Sequence, residues 1–226
     1  MARRRGDSGR APTQDGHARF EPKTLSDALD AVAQLNEQLL AVLVRTAGSN
    51  SLQIFPMAES LRSRFASLTI AQCGAIARCG VLLADAQFSN AEQWSNIGSI
   101  PGPSVASAGT CHWLGQDEAI ALCFAILMVA WHVVHTAPTI SGVLLGMSES
   151  VLTQYRGLGV NDLVAVAQSQ PCWIRPRWAD TPTVWTGIID LATDPLSEPS
   201  KLALHCLKLS AGSSARLIVP ESSQRT

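Results

Sequence analysis

Three groups of side chains have the types and spacing that chemistry can use. His132 and His135 stand three residues apart, a separation that puts two imidazoles on one helix face within reach of a single metal ion. Their neighbours are Val, Trp and Thr, with no acid or thiol to complete a ligand set, so one buried and one surface histidine is the expected reading. Cys172 sits beside Trp173 and close to Arg175, a setting that can lower a thiol pKa, although a buried free cysteine is the simpler expectation. Arg62 and Arg64, Arg156, and the pair Arg175 and Arg177 around Pro176 carry guanidinium forks suited to phosphates or base edges. There is no GxSxG, no HExxH, no glycine-rich phosphate loop and no carboxylate pair in an apolar setting. An enzyme is therefore not expected, and neither a cofactor nor a metal is implied.

Composition narrows the class further. A chain of 226 residues that is 46% hydrophobic can bury one sizeable core, or two small ones sharing an interface. The net charge of −1 does not advertise nucleic-acid binding, so any basic surface must be local. Six cysteines (Cys73, Cys79, Cys111, Cys123, Cys172 and Cys206) are scattered without a CxxC, which reads as free buried thiols in a reducing cytosol.

The arginines are positioned by the stretch from Met147 to Ile188. Ser148 is placed to cap a helix that carries Val151, Leu152 and Tyr155 on one face and ends at Gly157. After Gly159, Asn161 and Asp162 can cap a second helix with Leu163, Val164, Val166 and Ala167 facing inward. The prolines of Pro171 to Trp178 then forbid further helix. The same pattern stands ninety residues earlier, where Phe65 lies over Tyr155, Leu68 over Leu158, Ile76 over Val166 and Phe88 over Trp178. Ten residues from Val44 to Ala77 are identical to those ninety positions on. We expect two copies of one helical module.

The chain divides accordingly. Residues 1–22 hold Arg3, Arg4, Arg5, Arg10 and Arg19 among polar residues, a disordered basic arm without the apolar core of an export signal. The first module spans 23–97 and opens with a long helix marked by Leu25, Leu29, Val32, Leu35, Leu39, Leu40 and Leu43. Residues 98–116 form a linker, the second module spans 117–193, and 194–226 hold a last helix and a tail. The sixteen residues Ala119 to Val134 fall short of the roughly 20 needed to cross a bilayer, so a central helix buried on most sides is expected and no membrane contact.

The succession Leu145-Gly-Met-Ser-Glu149, Leu158-Gly-Val-Asn-Asp-Leu-Val-Ala-Val-Ala167, Arg177-Trp178 and Asp180 resembles the FlhD family of flagellar transcriptional activators. Leu39-Leu-Ala-Val-Leu43, Leu68-Thr-Ile-Ala-Gln72 and Ala86-Gln-Phe88 carry the likeness in the first copy, so that together the copies cover most of residues 35–190. Departures are Phe55-Pro56 where the family has Leu-Gly, and Gln87 where it has arginine. The resemblance implies an all-α fold in which two FlhD-like modules form an intramolecular pseudo-dimer. It also implies an FlhC-like partner subunit carrying a four-cysteine zinc site, which this chain lacks, and promoter DNA bound as part of that complex. On this reading Arg156, Arg175, Arg177, Arg62 and Arg64 are the candidate DNA contacts, and Trp178, Trp185 and Tyr155 the candidate partner interface. The implied role is cytoplasmic activation of flagellar or related operons, with self-association a further possibility. The alternative is a helical adaptor or anti-activator that binds FlhD or FlhC without touching DNA.

Overall fold

The computed structural model describes residues 22–49, 55–97 and 111–216. The basic arm and most of the linker lie outside the described residues. The described chain is mostly helical, with one two-stranded ribbon of two residues per strand. It is all-α in class.

Helix α1 (Pro22–Gly48) begins a turn before Ser26, with Pro22 at the start, where a missing backbone N–H leaves nothing unpaired. Its stripe of Ala28, Val32, Leu35, Leu39, Leu40 and Leu43 is buried against α2 (Glu59–Ala66) and α3 (Ile70–Ala77). A capping box starts α3: Gln72 N–H donates to Thr69 Oγ1 at 3.3 Å, and Thr69 N–H donates to Gln72 Oε1 at 2.9 Å. Strand β1 (Ala84–Asp85) follows, then the short helix α4 (Ala91–Ser95).

Three residues expected in the linker are instead packed: Cys111, Trp113 and Leu114 are buried ahead of α5 (Gln116–Thr136). By length and apolar character α5 could span a membrane, yet only 44% of its most apolar window is buried in the fold. One face, with Leu122, Cys123, Ile126, Ala130 and Val133, packs on α1, on α7 (Glu149–Arg156) and on α8 (Val160–Ser169). The other face, with Ile120, Phe124 and Met128, is half-exposed, so the helix is less enclosed than expected.

Helix α6 (Pro138–Leu145) was hidden in sequence, because Pro138, Ser141 and Gly142 look like loop residues. Proline is favourable in the first turn, and Ser141 Oγ donates to the Pro138 carbonyl at 2.9 Å, so neither breaks the helix. Gly146 ends it at φ 71°, a left-handed conformation that favours glycine. Ser148 Oγ then caps α7 at 3.4 Å from Val151 N. For α8 the cap position is Gly159 rather than Asn161 or Asp162; Asp162, inside the first turn, reaches back to Gly159 N at 2.8 Å.

After a single 3-10 turn at Pro171–Trp173, strand β2 (Arg175–Pro176) pairs antiparallel with β1, Ala84 opposite Pro176 and Asp85 opposite Arg175. Helix α9 (Pro182–Thr193) packs on α2 and α3, α4 packs on α7, and α10 (Pro199–Arg216) closes over α6 and α9. The packing thus crosses the halves of the chain. The ring of Trp185 on α9 lies 5.3 Å from Phe65 on α2, and that of Trp94 on α4 lies 5.0 Å from Tyr155 on α7.

The segment Val81 to Ala84 is wholly buried between these layers, so its backbone groups need internal partners. Asn36, itself fully buried on α1, meets two of them and a third at the end of α3: its Nδ2 donates to the carbonyls of Val81 at 2.8 Å and Ala77 at 3.0 Å, and its Oδ1 accepts Leu83 N–H at 2.8 Å. Asn36→Leu keeps the volume and removes all three bonds. We expect it to lower unfolding free energy by about 2–4 kcal/mol in urea titration, where a loss under 1 kcal/mol would mean that the segment is held by other contacts.

Candidate functional site

The ribbon and the arginines around it form the most polar cluster contributed by both halves of the chain. Arg175 lies on the exposed side of β2, its Nε 3.4 Å from Asp85 Oδ2 and its Nη1 3.0 Å from Asp180 Oδ2. Arg177, two residues on, points the other way. It is 8% exposed, donates from Nη2 to Ser210 Oγ at 3.0 Å and from Nη1 to the Leu82 carbonyl at 3.4 Å, and lies 4.7 Å from the Trp178 ring centroid.

Burial pushes the Arg177 guanidinium down to about 10, with Asp85 the largest opposing influence. It stays charged at neutral pH. A base whose folded pKa is depressed costs stability below that pKa, and the cost fades only as pH rises through about 10 toward the unfolded value. Arg177 also bonds through its backbone. Its backbone N–H donates to the Leu83 carbonyl at 2.6 Å, its carbonyl accepts the Trp185 indole N–H at 2.7 Å, and Ser210 Oγ in turn donates to the Val143 carbonyl. A Cβ added at Gly146 would fall 2.1 Å from Arg177 Nη2, so the glycine supplies the room as well as the turn. Arg177 therefore ties the ribbon to α6 and α10 and is not placed to touch DNA.

The remaining arginines are scattered. Arg62 is half-buried, 2.7 Å from Glu59 and over the Phe55 ring; Arg64 pairs with Asp190 of α9. Arg156 is exposed at the end of α7 and forms no ion pair among the described residues. Of the aromatics expected to face a partner, Tyr155 and Trp185 are instead fully buried. The Tyr155 hydroxyl donates to the Leu127 carbonyl at 2.7 Å, and burial raises its pKa well above the ordinary tyrosine value. Both are core residues because their polar atoms find backbone acceptors inside. Trp178 alone stays half-exposed.

The histidines and cysteines depart from expectation too. His132 and His135 are both exposed, with His135 stacked 4.3 Å from Trp131, and no group of three or more His, Cys, Asp or Glu able to hold a metal occurs among the described residues. None of the six cysteines is in a disulfide, and Cys172 is exposed rather than buried in the core. Its thiol is pushed up, first by partial desolvation and then by Cys111, which is the reverse of an activated nucleophile.

Two surface features escaped sequence reading. One is the half-exposed apolar face of α5, where Ile120, Phe124 and Met128 stand ninety positions after the exposed Asp30, Gln34 and Gln38 of α1. The other is a groove of about 620 Å³ between α1 and α3, with Ala41, Val44, Leu68, Ile70 and Gly74 among its walls. Comparing the two halves residue by residue was the signal that could have found both.

Two outcomes follow. Arg177→Met should lower stability by about 1–3 kcal/mol through the loss of its bonds to the Leu82 carbonyl and the Ser210 hydroxyl, whereas Arg175→Ala, on an exposed pair, should change it by less than about 1 kcal/mol. Equal losses in urea titration would contradict the buried assignment. Cys172 should be the cysteine that iodoacetamide alkylates fastest in the folded chain, with a rate still rising as pH passes 9.0, the ordinary thiol value; a plateau at lower pH would mean a depressed pKa.

No protein-family model, curated protein or solved structure matches this chain.

Proposed function

We propose that this chain is a helical interaction subunit of FlhD type, two modules fused into an intramolecular pseudo-dimer that engages an FlhC-like partner, with the partner supplying the main DNA contact. The observation that carries the reading is the pairing of Asp85 with Arg175, residues ninety positions apart. In an antiparallel ribbon built from two copies of one strand, only a residue at the two-fold axis faces its own counterpart. The packing supports the same relation. Phe65 meets Trp185, and Tyr155, ninety positions after Phe65, meets Trp94. Each half also turns through one left-handed residue after its strand, Gln87 or Trp178, beside a carbonyl that accepts an indole N–H: Gln87 O from Trp94, Arg177 O from Trp185.

Charge supports the partner's share of the work. Of the five arginines expected on DNA, four are ion-paired or buried within the chain. The unequal surfaces of the two long helices favour α5 as the partner-facing side, since apolar residues there replace the polar ones of α1. The setting is the cytoplasm, and flagellar or related operons are the regulated genes. Direct DNA reading by the chain itself is the second reading, favoured by the unpaired Arg156 and the exposed flank of Arg175.

The test is co-purification with an FlhC-like protein from the same genome, followed by gel shifts on promoter DNA across a salt series. A complex should form and bind DNA, and the chain alone should not bind at about 0.15 M salt, where a protein that neutralises few phosphates has little affinity. Ile120→Asp with Phe124→Gln, which gives α5 the residue types that α1 carries, should weaken the complex at least tenfold. DNA binding by the chain alone, with a salt slope equivalent to several phosphates, would favour direct reading instead.

A further inference from the structure

We infer that the groove between α1 and α3 is a docking site for an aromatic side chain, tryptophan above all, carried on an acidic segment of a partner protein. The groove is open and apolar, and Ile70 at its edge is 94% exposed, an unusual place to leave an isoleucine uncovered. Arg45 and Arg78 also line it, against the single carboxylate of Glu37. The ion pair of Arg45 reaches outward to Glu118, which is not part of the groove, so among the groove's own walls two guanidiniums stand against one carboxylate.

The second half of the chain contains the same site already filled. Ninety positions after Ala41 stands Trp131, whose indole N–H donates at 2.9 Å to the carbonyl of Leu158, the residue ninety positions after Leu68. His135, at the place of Arg45, stacks on that indole. Ala41 thus leaves open in the first half what Trp131 occupies in the second, while Leu68 lines the corresponding wall. The missing occupant is an indole with its N–H turned to Leu68, and the guanidiniums select acidic residues beside it. A groove of about 620 Å³ also has room for the neighbours of the anchor, within the roughly 300–1,000 Å³ typical of recognition pockets.

This inference rests on the duplicated-module part of the proposed function and is independent of the FlhC-like partner. The probe is a synthetic peptide of glutamates and aspartates around one tryptophan, titrated into the full chain and followed by amide NMR shifts. One anchor on a short peptide should give a Kd on the order of 0.1–1 mM, with shifts centred on Leu68, Ala71 and Gly74. Replacing the peptide tryptophan by alanine should weaken binding at least tenfold, and replacing its acids by lysine several-fold. Ala41→Trp should leave the chain folded with an equal or higher Tm, because Trp131 fits the equivalent place, and should abolish peptide binding. Ala71→Glu, an exposed helical position at the groove, should weaken binding several-fold without touching the core.

No binding, binding indifferent to the peptide tryptophan, or undiminished binding by Ala41→Trp overturns the proposal. Free indole binding as tightly as the peptide overturns the partner segment in favour of a small molecule, and self-association that Ala41→Trp abolishes assigns the groove to a second copy of the chain. If Ala41→Trp fails to fold, the equivalence with Trp131 is wrong and the inference falls, whatever the FlhC-like partner does.

Discussion

The backbone from Val81 to Ala84 runs buried through the molecule, and a buried chain outside a large sheet has few partners for its amides and carbonyls. The fold meets this constraint from both sides. Asn36 on α1 takes the Ala77 and Val81 carbonyls and the Leu83 amide, while Arg177 takes the Leu82 carbonyl with its side chain and the Leu83 carbonyl with its backbone N–H. Leu82 N–H donates to the Leu144 carbonyl at 2.7 Å. One buried amide and one buried guanidinium therefore join α1, the ribbon, α6 and α10. The helices around them pack through apolar faces that tolerate sliding, whereas these polar bonds admit one register.

Charge and apolar surface are distributed by the same logic. A guanidinium that must hold carbonyls is unavailable to phosphates, and the carboxylates Asp85, Asp180 and Asp190 neutralise others at the surface. What remains unspent is apolar. The outer face of α5 and the groove over α3 are more exposed than a core requires, and they lie on different halves of the chain.

Sequence patterning made the helices plain, because α1, α2, α3, α7 and α8 follow periodic apolar residues, and Ser148 marks the start of α7. Helix α6 was not legible: proline, serine and glycine mark loops by composition, and only tertiary burial makes helix the better choice for Ser141 and Gly142. The candidate site was less legible than the fold. An arginine reads alike whether it faces solvent or a carbonyl, and Arg175 and Arg177 have opposite fates because the strand ends at Pro176 and the chain then turns through Trp178 at φ 57°, so residues two apart do not share a face as they would in a continuing strand. Tyr155 and Trp185 looked like surface anchors, since no pattern in the sequence shows the Leu127 and Arg177 carbonyls that await their polar atoms.

The crossing of α9 onto α2 and of α4 onto α7 governs the order in which the molecule can be made. Phe65 is covered by Trp185, and Arg64 finds Asp190 across a separation of 126 residues. A nascent chain emerging from the ribosome therefore cannot close its first half when that half has been synthesised; the face of α2 and α3 turned away from α1 stays uncovered until α9 has emerged. Contacts of such sequence separation slow folding and prolong the exposure of apolar surface. Cutting the chain between its halves removes from each the helix that covers its aromatic core.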